Sequence, residues 1–113
     1  VVVSTPKNIK WEGRFICSKE KVISHSSYIF QKQITKIRTV PAESLDLVNE
    51  LLKIDYYPDS VFCYDLCQGD DGKFYLLEIT SFSSCGLYSS DKEKIVSEVS
   101  KIAFEDYKKT FNL

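Results

Sequence analysis

Apolar and polar positions alternate with a period of two along several stretches of this chain, and repeat at helical spacing along two others. The strongest signal is in two apolar and aromatic runs, Val61-Phe62-Cys63-Tyr64-Asp65-Leu66-Cys67 and Lys73-Phe74-Tyr75-Leu76-Leu77-Glu78-Ile79, which flank Gln68-Gly69-Asp70-Asp71-Gly72. An Asp-Gly pair between two such runs is the strongest short-range hairpin signal. A two-residue type I′ turn at Asp71-Gly72 sets the register. Asp70 then faces Lys73, Gly69 faces Phe74, Cys67 faces Leu76, Asp65 faces Glu78 and Cys63 faces Thr80. In that register Phe62, Tyr64, Leu66, Tyr75, Leu77 and Ile79 form one apolar face, while Phe74 and Leu76 share the other with the two acids.

Elsewhere the pattern predicts a strand over Ile9–Cys17, with Trp11, Phe15 and Cys17 on one face and Glu12, Arg14 and Ile16 on the other. Ser18–Lys21 reads as a polar turn and Val22–Phe30 as the returning strand. Val1–Ser4 reads as a short strand, and 31–40 as a loop or ragged strand. Pro41 suits the first turn of a helix, in which Leu45, Val48, Leu51 and Leu52 make one stripe up to Ile54. A loop over Thr80–Ser90 follows the hairpin. Ser90 then caps a last helix with Ile95, Val99, Ile102 and Phe104 inward through about Lys109. The fold class is α+β: a four- to five-stranded, mostly antiparallel sheet with two helices packed on one face.

At 113 residues the chain is read as a single domain spanning 1–113. Its net charge of −1 gives no basic field for nucleic acid or an anionic membrane, and no apolar run reaches transmembrane length. The four cysteines form no Cys-x-x-Cys motif. They read as buried thiols in a reducing compartment, with a dispersed zinc site as the minor alternative. That reading places the protein in the cytoplasm. Since the chain starts at Val1 rather than Met, it is read as a piece of something longer.

Candidate chemistry centres on Asp65 and Glu78. Like charges directly opposed across strands are destabilising, and a hard divalent cation between them removes the cost. These two residues are the expected metal pair. Arg14, on a strand face that could join them, is the expected phosphate ligand, because its planar fork carries a permanent charge. The alternative is an ordinary ion pair of Arg14 with Asp65 or Glu12. His25 has no acid or nucleophile near it in sequence and reads as an ordinary strand histidine.

The spacing of thirteen from Asp65 to Glu78, with the polar Thr80 two further on, resembles the ATP-grasp superfamily. Asp71–Glu78 is similar to the same segment of D-alanine–D-alanine ligases. Glu12-Gly13-Arg14-Phe15, Ser26-Ser27-Tyr28, Cys85-Gly86-Leu87-Tyr88 and Asp91 follow in the order seen in the clade named for two arginines and a lysine. The resemblance covers nearly the whole chain and implies a C-terminal ATP-grasp lobe. It implies ATP and Mg²⁺ as cofactors, with Arg14, Asp65, Glu78 and Thr80 on the nucleotide side. The implied reaction activates a small carboxylate as an acyl phosphate and ligates it to an amine or thiol. It further implies a partner, either an N-terminal lobe that brings a lysine or a homo-oligomer. Thr80 departs from the Asn usual at its position. The alternative is a degenerate, non-catalytic interaction module.

Overall fold

The computed structural model describes residues 8–54 and 56–112; the strand expected at Val1–Ser4 lies outside them. Five strands form one antiparallel sheet: β1 (Ile9–Ser18), β2 (Val22–Phe30), β3 (Gln33–Ile37), β4 (Val61–Gly69) and β5 (Phe74–Ser81). Their spatial order is β3-β2-β1-β4-β5. Helix α1 (Ala42–Leu52) connects β3 to β4. A short 3₁₀ turn (Phe82–Ser84) leads from β5 towards α2 (Lys92–Phe111). The α+β class read from the sequence is the observed one.

The helices do not share a face of the sheet, as was expected. Trp11, Phe15, Cys17, Phe62, Tyr64 and Leu66 pack with Val48 and Leu52 of α1. Their strand neighbours Ile16, Val61 and Cys63 pack with Ile95, Val99 and Ile102 of α2. Successive strand residues point to opposite faces, so α1 covers one face and α2 part of the other. Both central strands, β1 and β4, are therefore apolar on both sides at the end where α2 sits.

The β4–β5 hairpin reaches its register by another route than the expected turn. Gly72 alone has a positive φ, 78°. Gly69 N–H donates to the Lys73 carbonyl at 3.0 Å, and Gly72 N–H to the Gly69 carbonyl at 3.0 Å. Asp70-Asp71-Gly72 is thus a three-residue loop closed by a left-handed glycine. Asp71 Oδ1 accepts from Lys73 N–H at 2.9 Å and helps hold it. The longer loop pairs Gln68 with Phe74, Cys67 with Tyr75 and Leu66 with Leu76. A bulge between Asp65 and Leu66 absorbs Leu77, after which Asp65 faces Glu78 and Cys63 faces Thr80 as expected. Between loop and bulge every β5 side chain is turned over relative to expectation, while those of β4 keep their expected faces. Phe74 packs on the α1-side core and meets Trp11 with ring centroids 5.7 Å apart. Tyr75 and Leu77 line the opposite side beside Cys67.

The turn with two positive φ values falls elsewhere. Gln31 and Lys32, at φ 51° and 64°, join β2 to β3, with Phe30 facing Gln33. Side chains other than Gly, Asn and Asp rarely adopt this conformation. Helix α2 is capped by Asp91, not Ser90: Asp91 Oδ1 accepts from Lys94 N–H at 3.1 Å. Replacing Gln31-Lys32 by Asn-Gly should raise stability by about 1 kcal/mol. Urea unfolding checks this; an unchanged or lowered midpoint would contradict the turn geometry.

Candidate functional site

Strand register collects the candidate residues into one line. Ser26 of β2 faces Arg14 of β1. Arg14 faces Asp65 of β4. Asp65 in turn faces Glu78 of β5. Four neighbouring strands thus contribute one residue each to a polar row, on the face that α2 covers further along. Thr80 lies one row nearer α2, opposite Cys63. Glu12 lies one row the other way, opposite Cys67.

Arg14 and Asp65 form the centre of the row. Arg14 Nε donates to Asp65 Oδ1 and Nη2 to Oδ2, each at 2.8 Å, the bidentate fork geometry that suits a planar guanidinium. Their side chains are only 12% and 6% exposed. The hydrogen bond to Asp65 raises the Arg14 pKa against the opposing effect of burial. The third corner of the guanidinium, Nη1, donates to the Gly86 carbonyl at 3.1 Å. Two aromatic rings lie beside it: the Arg14 carbon is 5.1 Å from the Tyr88 centroid and 6.0 Å from that of Tyr28. The two rings stack on one another at 4.7 Å and 12°. Burial and then the Asp65 charge push the Tyr28 hydroxyl well above its usual pKa.

The carboxylates of the row differ in state. Asp65 is buried and fully engaged by Arg14. Glu78 is exposed, and no hydrogen bond or ion pair forms to it among the described residues. Glu12 is half-buried and its carboxyl pKa is raised, first by burial and second by the charge of Asp65. Thr80 Oγ1 is buried without a hydrogen-bond partner. No group of three or more His, Cys, Asp or Glu side chains gathers as a metal site among the described residues.

Segment 82–91 closes over the row. Ser89 N–H donates to Ser26 Oγ at 3.0 Å, Asp91 N–H to Ser24 Oγ at 2.8 Å, and Arg38 Nε to the Ser89 carbonyl at 3.1 Å. A disulfide joins Cys63 of β4 to Cys85 of this segment. Only Cys17 and Cys67 therefore remain as buried thiols, where four were expected. Tyr88 holds a left-handed backbone, φ 50°, which is an outlier for a bulky residue. His25 sits on the α1 side, its ring 5.9 Å from that of Phe15 and its Nδ1 2.7 Å from the Arg38 carbonyl, away from the row.

Gly86 and Tyr88 join the row although the reading of residues alone gave them no role, and Glu12, read as an alternative ion-pair partner of Arg14, lies one row away while Asp65 takes the guanidinium. The polar member of an alternating strand was the available signal for Glu12. For the other two there was none beyond their place in the loop after Glu78. Comparison of the chain with protein-family models, with curated proteins and with solved structures gave no match. No helix among the described residues is long and apolar enough to cross a membrane.

Removing Arg14 alone would strand a buried carboxylate. Arg14→Leu should cost about 3 kcal/mol, and Arg14→Leu/Asp65→Leu should recover most of it. Urea midpoints of both single variants and the double variant test the coupling; simple additivity would contradict it. Glu12 gives a pH signature. A carboxyl whose folded pKa is raised loses stability as pH climbs through the window between its unfolded and folded values. The loss is complete at neutral pH and absent in acid. Glu12→Gln should therefore stabilise the fold at pH about 7 and do nothing at pH about 3, as read from unfolding curves at both.

Proposed function

We infer that this chain acts as the C-terminal lobe of an ATP-grasp ligase, with the Ser26–Arg14–Asp65–Glu78 row facing the nucleotide phosphates. The observation that carries the reading is the placement of one arginine and two carboxylates, on three adjacent strands, in a single line across the sheet. A row of this kind suits a polyphosphate with its counter-cation. Asp65 fixes the guanidinium plane, and two N–H groups of Arg14 are left over from Asp65 and Gly86 to serve as phosphate donors.

The residues fit Mg²⁺. This ion takes one or two carboxylates together with phosphate oxygens. Glu78 offers a free carboxylate, and each Asp65 oxygen keeps a lone pair not used by Arg14. The orphaned hydroxyl of Thr80, a buried acceptor one row away, would complete the protein's share. When bound, the ion would neutralise charge on the phosphoryl oxygens. The reaction class assigned is phosphorylation of a small carboxylate, followed by attack of an amine or thiol on the acyl phosphate. The lysine lobe would come from elsewhere in a longer chain or from a partner.

One observation favours a second reading, a non-catalytic interaction module of the same descent. Both Asp65 oxygens already accept from Arg14, and Arg14 is nearly covered. Calorimetry separates the two. Glu78 is exposed, so Glu78→Gln should leave the fold intact. The ligase-lobe reading expects Mg²⁺-dependent ADP binding that weakens about tenfold in Glu78→Gln, the loss of one charge-assisted ligand. Equal affinity in both proteins sinks the metal assignment. Absence of any Mg²⁺–ADP heat, also with a lysine-bearing lobe supplied, would select the interaction module.

A further inference from the structure

Helix α2 carries two apolar stripes, and the fold uses one. Ile95, Val99 and Ile102 face the sheet. Asp106 ends that stripe by accepting from Ser60 Oγ at 2.6 Å. A second stripe, about a third of a turn away, runs through Val96, Ser100, Ala103, Phe104, Tyr107 and Phe111. All six are exposed: Val96 by 64%, Phe104 by 59%, Tyr107 by 51% and Phe111 by 60%. Among the described residues its neighbours come from α2 itself, the Lys108 ammonium lying 5.0 Å from the Phe104 ring centroid. Tyr107 and Phe111 lean on each other with centroids 4.8 Å apart, which keeps the bulky end of the stripe assembled.

We propose that this stripe is the interface of an antiparallel dimer of the chain, formed by α2 against α2 of a second copy. The stripe is complementary to itself in shape. Its N-terminal half is small (Val96, Ser100, Ala103) and its C-terminal half is aromatic (Phe104, Tyr107, Phe111). A two-fold axis between positions 103 and 104 sets Val96 opposite Phe111, Ser100 opposite Tyr107 and Ala103 opposite Phe104. Each ring thus meets a small residue, as close helix packing requires. A parallel pair would stack rings on rings, leave a gap between the small halves, and set Glu93 against Glu93. Two cations near the stripe are paired within the helix, Lys108 with Glu105 at 2.9 Å and Lys101 with Glu98 at 3.8 Å, which offsets their charge at the contact.

The area sets the strength. With aromatic side chains of 150–250 Å², the exposed parts of the three rings and Val96 amount to roughly 400 Å² of apolar surface per copy. Both copies together bury about 800 Å², short of the roughly 1,200 Å² of stable specific interfaces and within the range of transient ones, so the dimer is a weak one with Kd on the order of 10 µM or above.

Sedimentation velocity over about 1 to 300 µM protein tests this, because the range brackets that Kd. The expected result is a monomer–dimer equilibrium that Phe104→Glu and Tyr107→Glu each weaken tenfold or more, with circular dichroism unchanged. Tyr75→Glu, on the exposed edge strand β5, should leave it as it was. Orientation is read by cross-linking: Val96→Cys chains should link to Phe111→Cys chains and not to one another. A monomer throughout the range overturns the proposal. So does a dimer that survives Phe104→Glu but is lost in Tyr75→Glu, or a Val96–Val96 cross-link.

Discussion

A carboxylate buried in the middle of a sheet, with a second carboxylate across the strand, requires a cation held in place, and Arg14 is that cation. Taking the Asp65 charge out of water costs several kcal/mol that only a well-formed pair offsets. The bidentate geometry depends on Arg14 lying in register with Asp65, so the β1–β4 pairing and the ion pair fix one another. Much else follows from that pair. The third corner of the guanidinium recruits the Gly86 carbonyl and so brings the loop after β5 down onto the sheet. The stacked pair of Tyr28 and Tyr88 lies beside the guanidinium, Tyr88 the nearer, and Tyr88 accepts a left-handed backbone in taking that place. The negative field of Asp65 acts on Glu12 and Tyr28, raising both.

The opposition of Asp65 and Glu78 was legible in the sequence, yet for an incomplete reason. Counting back from a two-residue turn gives the right partner at that position. The loop actually has three residues, and the extra one is compensated by Leu77 at a bulge. Two offsets cancel at Asp65, whereas between them Phe74, Leu76, Tyr75 and Leu77 all point the other way. A run of four consecutive aromatic or aliphatic residues, Phe74 to Leu77, carries no alternation, so nothing in its pattern marks a bulge. The same limit explains the β2–β3 turn. Gln-Lys has no turn signature, and the tight hairpin there is imposed by pairing of the flanking strands.

Helix placement was equally hidden. Alternation on β1 and β4 was read as one core face and one outer face. Ile16, Val61 and Cys63 break that alternation at one end of the strands, and this end is where α2 packs. The apolar residues that looked out of place marked a second core. Polar residues return on the same face only beyond it, from Asp65 and Arg14 onward. The boundary between helix-covered and uncovered sheet is therefore visible in the strands as the point where both faces cease to be apolar. The Cys63–Cys85 disulfide lies at this boundary. It was not legible, because 22 residues and a change of direction separate its ends.

The charge balance of the row bears on which of the two functional readings explains more. Glu12, Asp65 and Glu78 share one sheet face with a single arginine, and burial first, with the Asp65 charge second, raises the Glu12 carboxyl. A domain kept for stability alone gains nothing from this arrangement, since apolar residues of similar volume in place of a buried pair are neutral or stabilising. A surface kept for docking another protein has no need of an arginine turned inward onto an aspartate. The arrangement makes sense where a further positive charge is brought to the row with its own anionic partner, so that Glu78 and the remaining donors of Arg14 find their counterparts together. Mg²⁺ with a nucleotide phosphate is such a pair. On that account the proposed ligase lobe explains the excess of acid, the buried arginine and the partnerless hydroxyl of Thr80 with one ligand, where the interaction module needs a separate reason for each.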